Sequence, residues 1–262
     1  LDYINSEHRE LFFHLFKDSP KRPGLEFANQ KQYLMVLGEP GVGKTTFLRK
    51  IGLEALKAKK DQVFLHECIP IFLELKRFRT RTIDLQGEIT KEFEICHFPD
   101  LPNQKLTEGL LERGKLLILL DGLDEVPTEL RSELVTEIQD FVDRYPKNRF
   151  IVSCRSAAYR HNFQRFTDIA IADFDNDQIQ NFIQSWFHSD STKGEELWQK
   201  LSDREYAATK ELSHRPLLLT FICIVYQNDN RLPSNRAALY GRTLDILLER
   251  WREEKNLPQD LI

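Results

Sequence analysis

The stretch Gly38-Glu39-Pro40-Gly41-Val42-Gly43-Lys44-Thr45-Thr46 leaves little freedom in what can surround it. It fits G-x-x-x-x-G-K-[ST], the phosphate-binding loop. It stands between an apolar run, Tyr33 to Leu37, and a helix-like run, Phe47 to Leu56. Glycines let the backbone wrap a phosphate chain without Cβ clashes. Successive N–H groups then converge on the anion, and the following helix adds the partial positive charge of its N-terminus. On this reading Glu39, Pro40, Gly41, Val42, Gly43, Lys44, Thr45 and Thr46 form the cradle. Lys44 reaches the β and γ phosphates, and the Thr45 hydroxyl holds Mg²⁺. The alternative is a glycine-rich turn carrying a solvated lysine.

Such a loop needs a strand before it and a helix after it, and the chain continues that alternation. Strands are expected at 32–37, 70–75, 115–121, 150–155 and 168–172. Lys115 to Asp121 is a continuous apolar run ending in an acid, which suits a strand buried on both faces of a parallel sheet. Helices are expected at 84–97 and 103–113. Another is opened by Pro127, with Leu130, Leu134, Ile138 and Phe141 at helical spacing. The pattern predicts an α/β fold, a five-stranded parallel P-loop sheet with helices on both faces. Its site should lie at the carboxyl ends of the strands.

From Phe174 onward the pattern becomes purely helical, over 175–188, 192–201, 203–213, 215–227 and 236–253. Leu239, Thr243, Leu247 and Trp251 form one stripe on the last helix. Before the loop, residues 2–17 read as an amphipathic helix with Leu11, Phe12, Leu15 and Phe16 on one face, followed by a breaker cluster at 19–24. Three regions result: an N-terminal helix and linker at 1–24, a nucleotide-binding α/β domain at 25–174 and a small helical domain at 175–262.

Composition excludes several classes. The 262 residues are 41% hydrophobic and 30% charged, as in a globular protein, and the net charge of −4 gives no direct sign of nucleic-acid binding. The basic run Lys76 to Arg81 reads as a solvated loop. The longest apolar run, Leu217 to Val225, is too short to span a bilayer, so no membrane partner is expected. The four cysteines form no metal-spaced pair and the histidines are scattered. Buried free thiols point to a reducing, cytoplasmic compartment. A chain that starts at Leu1, with Met35 as its sole methionine, reads as an excised piece of a longer protein.

Four acidic and basic residues carry the remaining chemistry. Asp121, at the end of a buried strand, suits an Mg²⁺ ion that bridges β and γ phosphates. The alternative is a helix-capping acid. Asp124 and Glu125 follow in the next loop, and either can orient an attacking water and take its proton. The alternative is a pair of helix N-terminal acids favoured by the dipole. Arg155 ends the strand Phe150 to Cys154. If that strand lies beside the P-loop strand, its guanidinium faces the γ-phosphate; otherwise it forms a surface ion pair.

Taken together, Gly38 to Thr46, Leu116 to Asp121 with Gly122-Leu123-Asp124-Glu125, and Ser153-Cys154-Arg155 resemble the NACHT group of signal-transduction (STAND) P-loop ATPases. That group includes the NOD-like receptors and many bacterial, notably cyanobacterial, proteins. A small residue directly after the aspartate, with acids three and four places on, is the NACHT-like arrangement; AAA+ ATPases usually place Glu there. The resemblance implies a hydrolytic role for Asp124, a sensor role for Arg155, and a sensor strand inserted between the P-loop and Asp121 strands. It extends to Leu212 through Leu219, where Pro216 matches a proline that packs near adenine, although His214 replaces the usual glycine. Leu232 through Trp251 resembles the helix that follows.

The resemblance implies a slow ATPase core that binds ATP or ADP with Mg²⁺. ATP would favour self-association, hydrolysis would reset it, and the role would be defence or regulatory signalling. Flanking effector and sensor domains are expected to be missing. Two other readings stay open. One is a nucleotide-gated scaffold without turnover. The other is a P-loop phosphotransferase, whose lid arginines would have to come from Arg155, Arg160 and Arg165. The motifs do not fix ATP over GTP.

Overall fold

The structure is a computed structural model that describes residues 21–255 except 58, 62, 81–82, 97–103 and 161–162. The helix expected at 2–17 lies outside the described residues. The chain divides between Ala172 and Asp173 into two compact units.

In the first unit, in chain order, stand α1 (Gly24–Gln30), β1 (Tyr33–Gly38), α2 (Lys44–Ala55), β2 (Ile69–Glu74), α3 (Leu85–Ile95), α4 (Gln104–Glu112), β3 (Leu116–Asp121), α5 (Thr128–Arg144), β4 (Arg149–Arg155) and β5 (Thr167–Ala170). The five strands form one sheet in the order β2-β3-β4-β1-β5, and every pairing is parallel. β4 therefore lies between β1 and β3, as the resemblance implied. Pro70 falls inside β2, which the sheet tolerates because β2 is an edge strand and needs N–H donors on one side only.

Side chains alternate across the sheet with the period of two that strands impose. Met35 and Leu37, Ile71 and Leu73, Leu116, Ile118 and Leu120, and Phe150 and Val152 pack on one face against α3, α4 and α5. Leu34, Val36, Leu117, Leu119 and Ile151 pack on the other against Ala28 of α1 and Leu48 and Ile51 of α2. With helices on both faces, both sets of strand side chains are buried. That is why these strands read as unbroken apolar runs.

α1 was not expected; Pro23 and Gly24 marked the region as a break. It has only seven residues, too few for a helical period to register, and Pro23 stands at its N-cap.

The second unit consists of α6 (Asn176–Trp186), α7 (Ser191–Ser202), α8 (Ala207–Ser213), α9 (Pro216–Asp229) and α10 (Arg236–Lys255). Asp175 and Gln178 form a reciprocal capping box on α6, and Asp190 caps α7. Its core gathers Ile179, Ile183, Leu197, Leu201, Leu219, Ile222, Leu239 and Ile246. The segment expected as one helix over 203–213 is a 3-10 turn at Arg204–Tyr206 followed by α8. The stripe expected on α10 holds for Leu239 and Thr243, which are buried, but Leu247 and Trp251 are exposed. Repeated steps of four overshoot the 3.6-residue turn and drift off the buried line, which passes to Ile246 instead.

The thiols are more varied than expected. All four are free, with Cys154 and Cys223 buried, Cys68 half-buried and Cys96 exposed. Burial pushes the Cys154 and Cys223 thiols up to about 12, so both stay protonated and unreactive at neutral pH. No helix among the described residues is long and apolar enough to cross a membrane.

Candidate functional site

β1 ends at Gly38, and the loop Glu39 to Gly43 returns the chain into α2. Gly43 is the N-cap of α2 with φ 103°, and among the described residues no side-chain cap bond closes that end. A residue with a Cβ is strained at this φ, so glycine is what lets the loop enter the helix with its first-turn N–H groups turned outward. Val42 is buried and anchors the loop, while Glu39 is half-buried, and Pro40 and Thr46 are exposed.

Lys44 folds back over this loop. Its Nζ donates to the Gly38 carbonyl at 2.8 Å and the Glu39 carbonyl at 3.1 Å. Burial holds the ammonium below its ordinary pKa, opposed chiefly by the Asp124 carboxylate. A cation short of charge partners, resting on two neutral carbonyls, has much to gain from an anion in the loop.

Thr45, one residue into α2, donates from Oγ1 to Asp121 Oδ2 at 2.8 Å. Asp121 ends β3, and its other oxygen, Oδ1, accepts from Ser153 Oγ of β4 at 2.5 Å. Ser153 Oγ in turn accepts the Gly122 N–H at 2.8 Å. Gly122 has φ 80°, and a Cβ there would lie 3.1 Å from Glu125 Cδ. The small residue after Asp121 thus permits both the left-handed turn and the close passage of the Glu125 side chain.

The two acids of this loop have different surroundings. Asp124 is nearly enclosed, with 7% of its side chain exposed. Its Oδ2 lies 2.8 Å from Arg155 Nε, and its Oδ1 accepts the Arg155 backbone N–H at 2.8 Å. Glu125 is exposed, and among the described residues no hydrogen bond or ion pair holds its carboxylate. Arg155 stands at the end of β4, directly across from Gly38 of β1, with half of its side chain exposed. Arg131 of α5 braces the loop from behind. Its Nη2 donates to the Asp124 and Val126 carbonyls, both at 3.0 Å, while its buried Nε has no partner among the described residues.

The sheet therefore brings Lys44, Thr45, Asp121, Asp124, Glu125 and Arg155 to the carboxyl ends of β1, β3 and β4. Pro216 belongs to the second unit, where it is the first residue of α9; Arg215 before it is extended, as a pre-proline residue tends to be. Two further residues enter the network without a role having been read for them: Ser153, a hydroxyl inside an apolar strand and part of the Ser153-Cys154-Arg155 stretch, and Arg131, a helix-surface charge by its spacing. The first left a trace in the sequence; the second left none.

The donor set suits a hard divalent cation. Thr45 Oγ1 and Asp121 Oδ2 are oxygen atoms of the kind such a cation takes, and they lie within hydrogen-bond distance of one another. Among the described residues no group of three or more His, Cys, Asp or Glu could enclose a metal. Mg²⁺ is characteristically held in this way, by one or two protein oxygens with phosphates and water completing its shell.

The chain resembles known proteins in sequence and in fold. The model of the NACHT domain matches residues 32–190. An uncharacterised WD repeat-containing protein of Nostoc sp. is 26% identical over 131 residues, covering 48% of this chain and 8% of that protein. The chain thus spans less than a tenth of that relative's length. Among solved structures, the Walker-type ATPase of Pyrococcus abyssi is similar with a TM-score of 0.49 at 16% identity, covering 92% of this chain and 76% of the other. A STAND protein with a tetratricopeptide repeat sensor from Pyrococcus horikoshii gives a TM-score of 0.45 at 15% identity, with coverages of 80% and 31%. Matched by the family model over more than half of its length, and carrying the P-loop, Asp121 and Arg155 within that match, the chain belongs to the NACHT family.

Proposed function

We propose that this chain is the nucleotide-binding and -hydrolysing core of a NACHT-type signalling switch that takes ATP or ADP with Mg²⁺. One observation carries the reading: Lys44, Thr45 and Asp121 converge at the mouth of a loop whose helix N-terminus has no side-chain cap among the described residues. Thr45 and Asp121 would hold the cation, which when bound neutralises charge on the β and γ phosphate oxygens.

The chain's own residues have separable tasks. Lys44 exchanges the carbonyls of Gly38 and Glu39 for phosphate oxygens. Arg155 reaches the γ-phosphate from the end of β4. Asp124, whose two oxygens both bind Arg155, orients that guanidinium. Glu125 is the acid left to orient water and accept its proton. The water oxygen bonds to the γ-phosphorus as the bond to the bridging oxygen breaks, and ADP leaves with phosphate.

A switch needs a ligand with different affinities for two states. The Asp124–Arg155 pair supplies the difference, since ADP lacks the group that competes for Arg155. ATP then favours self-association and hydrolysis resets the chain. A defence or regulatory role, in a reducing cytoplasmic compartment, rests on family analogy. The WD repeats of the Nostoc relative support a place for the domain inside a larger protein, and Pro216 supports an adenine base.

The test is phosphate release by the wild-type chain against Lys44→Ala, with Glu125→Gln beside it. Turnover that vanishes in both supports hydrolysis; turnover no higher than in Lys44→Ala removes the enzyme claim. The second reading, a nucleotide-gated scaffold, is then favoured by Arg155's full occupation of Asp124. Guanine nucleotide released from the denatured protein would overturn the adenine assignment.

A further inference from the structure

Ser153 is the one hydroxyl in β4 and is almost wholly buried, 1% exposed, among apolar neighbours. A hydroxyl has one proton to give and two lone pairs to offer. Here a lone pair takes the Gly122 N–H at 2.8 Å, and the proton goes to Asp121 Oδ1 at 2.5 Å. Satisfying the Gly122 N–H alone would not require the second contact. The second contact has a consequence for Asp121, because the terminal torsion of an aspartate is broad and roughly two-fold. Once Oδ1 is fixed on Ser153, the carboxylate plane is fixed too, and Oδ2 is the oxygen turned towards Thr45 at 2.8 Å.

We infer that Ser153 is a positioning residue for the cation half of the site, holding Asp121 so that Oδ2, opposite Thr45 Oγ1, is the oxygen offered to the divalent ion. This rests on the nucleotide–Mg²⁺ reading above and adds to it a residue on a different strand from either cation ligand. A cation on a Thr45 lone pair would leave the Thr45 proton free to donate to Asp121, so what Ser153 adds is the second point of attachment, on Oδ1, that fixes the carboxylate plane. Partners that act through a metal ligand typically change metal affinity by about 10- to 100-fold.

The experiment measures ATP affinity of the whole chain in EDTA and across a Mg²⁺ series. Wild type is compared with Ser153→Ala, Ser153→Thr and Ser153→Val. Thr and Val have nearly the same shape and differ in the hydroxyl, so their comparison isolates it even if the added bulk disturbs the strand. In Ser153→Ala the affinity in EDTA should stay within about twofold of wild type, while the Mg²⁺ concentration giving half the gain in affinity rises about tenfold. Ser153→Thr should sit near wild type and Ser153→Val near Ser153→Ala. An unchanged Mg²⁺ midpoint in Ser153→Ala, or identical midpoints for Thr and Val, overturns the assignment while leaving nucleotide binding intact. Wild-type binding that ignores Mg²⁺ overturns the cation site and Ser153's role with it. Failure of wild type to bind ATP with or without Mg²⁺ overturns the nucleotide reading itself.

Discussion

At the amino ends of the strands, Asn148 is fully buried and has all its side-chain partners inside the protein. Its Oδ1 accepts the Leu116 N–H at 3.1 Å, and its Nδ2 donates to the carbonyls of Leu111 at 2.7 Å and Tyr145 at 3.1 Å. Gln32 reaches the Pro146 and Asn148 carbonyls, and Arg149 covers the carbonyls of Ala28 and Lys31 at the end of α1. At the carboxyl ends of the same sheet, Lys44 rests on two neutral carbonyls, Glu125 is unheld among the described residues, and Arg155 is half exposed. One end spends its polar groups on backbone groups at helix C-termini and at the start of β3, where the helical ladder runs out. The other leaves charge waiting for a ligand. Stability and ligand affinity should therefore separate by end, and the following substitutions test how cleanly.

Asn148→Ala should have the largest effect. It leaves the buried Leu116 N–H without its partner, at roughly 1–3 kcal/mol, and takes one of two donors from the Leu111 and Tyr145 carbonyls, at roughly 0.5–1.5 kcal/mol each, while the Gly114 and Asn148 backbone N–H groups stay on them. We expect a loss of about 3 kcal/mol in denaturant unfolding, with ATP affinity of the folded chain unchanged. A comparable loss of ATP affinity would mean that the two ends are not independent.

Lys44→Ala is the opposite case. Loss of charge-assisted phosphate contacts should weaken ATP binding by about a hundredfold, or roughly 2.7 kcal/mol. The unliganded chain should lose almost no stability, because burial already works against the ammonium. If Lys44→Ala destabilises the unliganded chain by more than about 1 kcal/mol, the lysine is holding the loop together and the contrast fails there.

Asp124→Asn tests a residue between these extremes. It keeps an acceptor for the Arg155 N–H but loses the ion pair. Because half of the Arg155 side chain is exposed, the stability cost should be only about 0.5–1 kcal/mol. Turnover should fall about tenfold as Arg155 loses its orientation, a smaller loss than for Glu125→Gln, where about a hundredfold is expected of a missing base. Equal losses in the two variants would return Asp124 to the candidates for the base itself.

The carboxyl end was largely readable in the sequence, and the amino end was not. Gly38 to Thr46 and Leu116 to Asp121 announce themselves because a loop around phosphate and a strand buried on both faces each restrict consecutive residues. Arg155 was legible once β4 was placed beside β1. Asn148 and Arg149 act on backbone groups far away in the chain, and Arg131 on the carbonyls of Asp124 and Val126 in the preceding loop, and a carbonyl has the same appearance in every residue. Ser153 left a trace, a lone hydroxyl in an apolar strand, but its role depends on Asp121, 32 positions earlier. In the second unit the caps at Asp175 and Asp190 are local signals, and the drift of the buried line on α10 from Thr243 to Ile246 follows from the 3.6-residue turn, which a stripe drawn in steps of four overshoots.

Pro216 asks whether the contrast extends beyond the sheet, and it carries the smallest expected effect. Within its own unit it is a helix-start residue: its fixed φ suits N1, its missing N–H is one that needs no helical partner, and the Arg215 carbonyl accepts the Leu219 N–H at 2.9 Å. On that account Pro216→Ala should cost about 0.4–1 kcal/mol of stability, chiefly by freeing the unfolded chain. If the proline also packs on adenine, ATP affinity should fall a few-fold while affinity for inorganic triphosphate, which has no base, stays unchanged. A stability loss without any nucleotide effect would assign Pro216 wholly to the structural class, with Asn148. The base specificity of the site would then have to come from other residues.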